Sequence, residues 1–91
     1  MKIYLKKFGT ILMSRPAGRE ASLAFSPLLN EIKKDEPVMI DFDGVVAFSP
    51  SWGAEFLGPI AKKFKDRVVF LNTENPSVKT TLELLKEIGE I

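Results

Sequence analysis

Apolar and polar positions along the chain fall into blocks that predict strands and helices in turn. Ile3, Tyr4 and Leu5 precede the polar Lys6-Lys7, and Thr10-Ile11-Leu12-Met13 follows Gly9, which predicts two short extended segments around a Gly-containing turn. Ser14-Arg15-Pro16 then has the form of a helix start: a serine hydroxyl accepts from orphan N–H groups, and proline is tolerated where its missing donor costs little. The helix is expected to reach Lys34, with Phe25, Leu28, Leu29 and Ile32 as its apolar stripe and Arg19, Glu20, Asn30, Glu31 and Lys33 facing water. Pro27 interrupts it, either kinking the helix or, with Ser26 as a cap, opening a second short one.

The compact run from Pro37 to Phe42 predicts a central strand buried on both faces. Asp43-Gly44 turns the chain into the run Val45 to Phe48, and Ser49-Pro50-Ser51 opens the next helix, with Ser51 as its N-cap. In that helix Trp52, Phe56, Ile60 and Phe64 recur at i, i+4 with Leu57 alongside, and Gly58-Pro59 is expected to bend it. Arg67 to Leu71 reads as a second buried strand. Asn75-Pro76 caps a last helix whose Val78, Leu82, Leu85 and Ile88 point one way, with Gly89 at its end. Strands and helices alternating in this order imply right-handed crossovers, hence an α/β fold: a small mixed sheet of about four strands with three helices packed against it, as a single domain over residues 1–91.

Composition narrows the chemistry. The 91 residues include no Cys and no His, which excludes disulfides, thiol nucleophiles, His bases and Cys- or His-ligated metals. With 13 Lys+Arg against 12 Asp+Glu, the formal charge of +1 supplies no global field toward nucleic acid or an anionic surface. Two basic clusters, Lys62, Lys63, Lys65 and Arg67 and then Lys2, Lys6 and Lys7, lack an interleaved aromatic platform and read as solvated faces, so no direct nucleic-acid contact is expected. No apolar run approaches the roughly 20 residues of a spanning helix, and Met1-Lys2-Ile3-Tyr4 begins no signal peptide, so a cytoplasmic protein without membrane contact is expected. Gly44, Gly53 and Gly58 do not have the spacing of a phosphate-binding loop.

Two carboxylates stand out, because Val38 to Val46 resembles the first motif of haloacid-dehalogenase-type phosphatases, an apolar strand ending in Asp-x-Asp-Gly. That resemblance implies Asp41 as nucleophile and magnesium ligand and Asp43 as acid/base, and Val68 to Thr73 imitates the family's second motif. Those enzymes also need a Lys to hold the phosphate and an acidic pair on a further strand. After Thr73 the acidic residues are Glu74, Glu83, Glu87 and Glu90, all in or near a helix. The plainer reading is a strand running into a tight turn, with Asp41 accepting backbone N–H groups.

The Ser14-Arg15 pair before the first helix, the Asp41 to Val45 strand end, Ser51-Trp52-Gly53-Ala54-Glu55 at a helix start, and a closing strand followed by Asn and a Pro-led helix together form a second pattern. In these, and over nearly its whole length, the chain resembles the STAS-like domain family of unknown function DUF4325, related to the STAS domains of anti-sigma factor antagonists. The resemblance implies a non-enzymatic regulatory interaction module without a cofactor, acting in bacterial transcriptional or stress signalling as a monomer or weak homodimer. The partner implied is a regulatory or signalling protein such as an ATPase, a kinase or a DNA-binding protein. In the antagonists a serine in the turn is phosphorylated, which adds a charge of about −1.5 to −2 at the binding surface. The matching position is Ser49 or Ser51, with Pro50 between them and Trp52 where a Gly is expected. The candidate surface is Arg15, Asp41, Asp43, Ser49, Ser51, Trp52 and Glu55. Arg15 is expected to pair with Asp41 or Asp43, or to bind an anion beside helix N–H groups. Trp52 serves either as a core anchor with Phe56 or as a partner contact.

Overall fold

The structure is a computed structural model describing residues 1–91. It contains, in chain order, β1 (Lys2–Tyr4), β2 (Ile11–Leu12), α1 (Arg15–Leu29), β3 (Val38–Asp41), β4 (Ala47–Phe48), α2 (Pro50–Phe64), β5 (Val68–Leu71) and α3 (Pro76–Glu87). A 3-10 turn over Leu5–Phe8 separates β1 from β2, so the two N-terminal extended segments do not form a hairpin. They join different partners. One sheet has the order β1-β3-β5, the other is a two-stranded ladder of β2 and β4, and every pairing is parallel. The alternation of strands with three helices is the α/β arrangement expected, with five short strands where about four were anticipated. No helix is long and apolar enough to cross a membrane.

Register decides which residues share a face. Ile3, Val38, Ile40, Val68 and Phe70 lie on one face of the three-stranded sheet, and Lys2, Tyr4, Met39, Asp41, Val69 and Leu71 on the other. The first face enters a single core with Phe25 of α1, the aromatic side of α2 and Val78, Leu82 and Leu85 of α3. On the second face Tyr4 and Val69 stay 44% and 43% exposed. β3 is the central strand, as its apolar run predicts. β5 is an edge strand, half-covered, and the doubly buried strand expected there is not found. Its uninterrupted Val-Val-Phe-Leu carries no mark of edge position, because strand order is set by the crossovers and not by the strand's own composition.

The helix starts follow their local chemistry. Ser14 caps α1 by accepting from the Ala17 N–H at 3.2 Å, with Pro16 in the first turn. Ser49, not Ser51, caps α2: its hydroxyl accepts from the Trp52 N–H at 3.2 Å. Pro50 accounts for the difference, since its fixed φ and absent donor suit the first helical position and so place the cap one residue earlier. Asn75 caps α3, accepting from the N–H groups of Ser77 and Val78.

The ends depart further from expectation. α1 runs through Pro27 as one helix and stops at Leu29, short of Lys34. The N–H groups of Asn30, Glu31 and Ile32 turn back onto carbonyls three residues earlier, and the Glu36 carboxylate accepts from the Lys33 N–H, so the charged stretch closes as turns. Leu28 is exposed, and the buried side of α1 is Gly18, Ala21 and Phe25. In α3, Val78, Leu82 and Leu85 are buried with Thr81, while Ile88 lies past the helix and is exposed.

α1 and α2 meet through rings and through one bare backbone contact. Trp52 stacks on Phe56 at 5.0 Å, Phe8 from the 3-10 turn sits 5.0 Å from Phe56, and Phe25 of α1 closes the group at 6.0 Å from Phe56. A Cβ on Gly18 would stand 2.8 Å from the Trp52 carbonyl oxygen and 2.9 Å from its Cα. Backbone cannot swing aside as a side chain can. Gly18→Ala is therefore expected to destabilise the chain by about 1–3 kcal/mol despite alanine's better helix propensity, read as a lowered urea midpoint with unchanged m-value. An unchanged or raised midpoint would show that the helices separate without cost.

Candidate functional site

Asp41 closes the central strand and is only 3% exposed. One carboxylate oxygen, Oδ1, accepts from Asn72 Nδ2 at 2.8 Å and from the Asp43 N–H at 2.9 Å, while Oδ2 lies 3.4 Å from Lys2 Nζ. Lys2 belongs to β1, Asp43 to the turn after β3, and Asn72 follows β5. This one carboxylate therefore ties the end of β3 to the first residue of β1 and to the residue that follows β5. Asn72 has φ +55°, a left-handed conformation that Asn tolerates better than most residues. The hydrogen bond from Asn72, then that from the Asp43 N–H, with Lys2 adding to them, hold the Asp41 carboxyl below its ordinary range against the opposing effect of burial. Asp41 is thus an ionised, fully partnered structural anchor, and it accepts the backbone N–H that the tight-turn reading assigns to it.

Asp43 points elsewhere. Its carboxylate is exposed and faces Lys6 Nζ at 3.5 Å, an exposed pair of small energetic value. Gly44 completes the turn at φ +83°, where a Cβ would be strained. The two carboxylates two positions apart therefore do not face a common point, since it is the backbone of Asp43 that turns to Asp41. No third metal-ligating side chain joins them.

The other candidates separate by depth. Trp52 is 1% exposed inside the aromatic group, so of its two expected roles it takes the core anchor and cannot serve as a partner contact. Ser49 is committed to its cap and also donates its hydroxyl proton to the Met13 carbonyl. Arg15 pairs with neither Asp41 nor Asp43. Its guanidinium meets Glu55 Oε1 at 3.2 Å across the α1–α2 contact, while Lys2 and Lys6 face the aspartates. Ser51, in the first turn of α2, and Glu55 are four residues apart and share a helix face. Arg15, Ser51 and Glu55 form the part of the predicted set that reaches solvent as one patch.

Sequence reasoning missed the ladder of β2 and β4 that organises this end of the molecule. β2 leads straight into the Ser14 cap, and β4 into the Ser49 cap. Asn75 Nδ2 donates to the Val46 carbonyl, the Phe48 N–H donates to Ser77 Oγ, and Thr81 Oγ1 donates to the Phe48 carbonyl at 2.6 Å. The starts of all three helices are thereby fastened to one two-residue ladder, and none has an acidic residue in its first turn. Ser77 and Thr81, one turn apart in a helix otherwise patterned for burial, are the signal that was available. A shallow depression of about 730 Å³ lies between α2 and residues 89–91, and none of the seven candidate residues lines it.

Because the folded Asp41 carboxyl titrates below its unfolded value, its contribution to stability is complete above the unfolded pKa of about 3.9 and is lost as pH falls through the folded one. Asp41→Asn is expected to lower stability at pH 7 by about 1–3 kcal/mol and to flatten the decline of stability below about pH 4. Urea unfolding of both proteins between pH 7 and pH 2.5 measures this; an undiminished acid slope in the variant would assign that slope to other carboxylates.

Residues 26–78 match the model of a family described as STAS-like domain of unknown function (DUF4325). The matched stretch runs from the last turn of α1 through β3, β4, α2 and β5 into the first turn of α3, and so contains the Asp41 turn, the Ser49 cap and the whole aromatic helix. No curated protein and no solved structure matches the chain. With more than half of its residues matched, the chain belongs to the STAS-like domain family of unknown function, DUF4325.

Proposed function

We propose that the protein is a non-enzymatic regulatory module that docks a signalling protein through the exposed start of α2, and that added charge at Ser51 controls the docking. The observation that carries this reading is the Arg15–Glu55 pair, which joins α1 to α2 at the surface one turn from Ser51. A phosphate on Ser51 would sit near the helix N-terminus, where negative charge is favoured, and one turn from Glu55, which it would repel. It would compete with Glu55 for the Arg15 guanidinium, so the modification would rearrange an α1–α2 link instead of merely decorating the surface. The partner is a regulatory or signalling protein of the ATPase, kinase or DNA-binding kind, in a bacterial transcriptional or stress response.

The alternative, magnesium-dependent phosphotransfer on Asp41 and Asp43, draws less support. Asp41 is buried with both oxygens engaged, and its hydrogen bonds lower the nucleophilicity that attack on phosphorus would need. An aryl phosphate with magnesium is expected to be hydrolysed equally, at background rate, by the wild type and by Asp41→Asn. Hydrolysis abolished by Asp41→Asn would replace the docking reading with the enzymatic one.

The docking reading is tested by cross-linked affinity capture in the native cells. A protein retained by the wild type should be retained about tenfold less by Ser51→Glu and by Arg15→Glu, the change expected from losing roughly 1.4 kcal/mol of a charge-assisted contact. Capture indifferent to both substitutions would overturn the reading.

A further inference from the structure

The β2–β4 ladder has two outer edges, and they are treated differently. Register and hydrogen bonding turn the main-chain groups of Leu12 and Ala47 toward each other: the Ala47 N–H donates to the Thr10 carbonyl and the Ser49 N–H to the Leu12 carbonyl. Those of Phe48 and Ile11 therefore face outward, on opposite edges. The Phe48 edge is sealed, since its N–H donates to Ser77 Oγ and its carbonyl accepts from Ser77 and Thr81. The Ile11 N–H and carbonyl have no partner in the chain. Around them the surface is apolar: Ile11 is 67% and Met13 49% exposed on the same side of β2. An open edge is ordinarily guarded by its shortness, as β2 is in part, and further by an inward charge, a proline or a bulge. Thr10-Ile11-Leu12-Met13 has none of these further guards.

Charge indicates what would cover it. The first 19 residues contain Lys2, Lys6, Lys7, Arg15 and Arg19 and no acidic residue. Lys6 and Lys7 precede β2, and Arg15 follows it. Lys7 and Arg19 have no carboxylate partner, Lys7 lying over the rings of Phe8 and Phe25. A second copy is disfavoured as the occupant, because it would bring together two segments that each hold five basic residues and no acidic one. The geometry points to strand addition: β2 receives an extended segment of the partner protein, pairing with the Ile11 main chain, with apolar side chains over Ile11 and Met13 and acidic flanks drawn to Lys7, which has no carboxylate of its own. This rests on the reading of the protein as an interaction module and gives the recognition element of its partner.

A display library of random heptapeptides panned on the full 91-residue protein supplies the probe. The selected peptides should carry β-branched residues in alternation with Asp or Glu at the flanks. In an NMR titration they should move the Ile11 and Met13 amide resonances saturably and slow exchange of the Ile11 amide. Ile11→Lys, a change at a mostly exposed position, should weaken the selected peptide at least about tenfold with an unchanged unfolding midpoint, and N-methylating the peptide's central amides should weaken it as much. An empty selection, peptides without acidic bias, shifts confined to other residues, or equal affinity for Ile11→Lys would each overturn the proposal. A dimer lost on Ile11→Lys would put a second copy on the edge and overturn it likewise. If the cellular partner responds to Ser51→Glu but not to Ile11→Lys, strand addition fails while the docking reading stands. Failure of both responses removes both.

Discussion

Three parallel strands taken in sequential order, with crossovers of one hand, can send their connecting helices to only one side of the sheet. Every other feature of this molecule is arranged around that restriction. A sheet that reversed its strand order would have helices on both faces and a crevice where the order switches. Here β1, β3 and β5 run in order, residues of all three helices join Ile3, Val38 and Ile40 in one core, and there is no switch point at which a ligand crevice would form. The covered face supplies the hydrophobic stabilisation, of about 1.5–3 kcal/mol for each fully buried large side chain. The bare face stays tolerable because it is narrow and mixed: Lys2 and Asp41 pair on it, and Lys2 also lies 5.0 Å from the ring centre of Tyr4.

Helices crowded onto one side must pack on one another as well as on the sheet. That accounts for the bare backbone of Gly18 against Trp52 and for the rings shared among α1, α2 and the 3-10 turn. It also explains why the most conspicuous aromatic residue is withdrawn from the surface. Trp52 lies where two helices cross, with its backbone against Gly18 and its ring stacked on Phe56. What reaches solvent is the rim, with short-range pairs such as Arg15–Glu55 and the free edge of a two-residue strand.

How far the sequence revealed this depended on whether a feature was set locally. Caps, central strand and aromatic stripe were legible because Ser-x-Pro, an apolar run and an i, i+4 series act through neighbours. The exact cap of α2 needed only the geometry of Pro50. By contrast, the edge position of β5, the exposure of Leu28 and the exchange of Arg15's partner from an aspartate to Glu55 follow from which elements meet, which no local pattern encodes. Asp41 lay between these cases. Its bond to the Asp43 N–H belongs to the turn and was readable, whereas Lys2 and Asn72 come from 39 residues upstream and 31 downstream and emerge only when the strands align. The ladder of β2 and β4 was least legible, being too short for a periodicity and recognisable only by the side chains that fasten it.

The gathering of three helix starts on that ladder gives a nearly neutral protein a permanent electrical direction. Each backbone dipole has its positive end there, and because none of the first turns contains an acid, nothing in the helices themselves cancels it. Titration cannot reverse such a field, since it comes from amide groups that neither gain nor lose protons. Salt shortens its reach without changing its sense. A chain with one formal charge can therefore still present a distinct front, whose orientation is fixed by the backbone and not by its ionisable side chains.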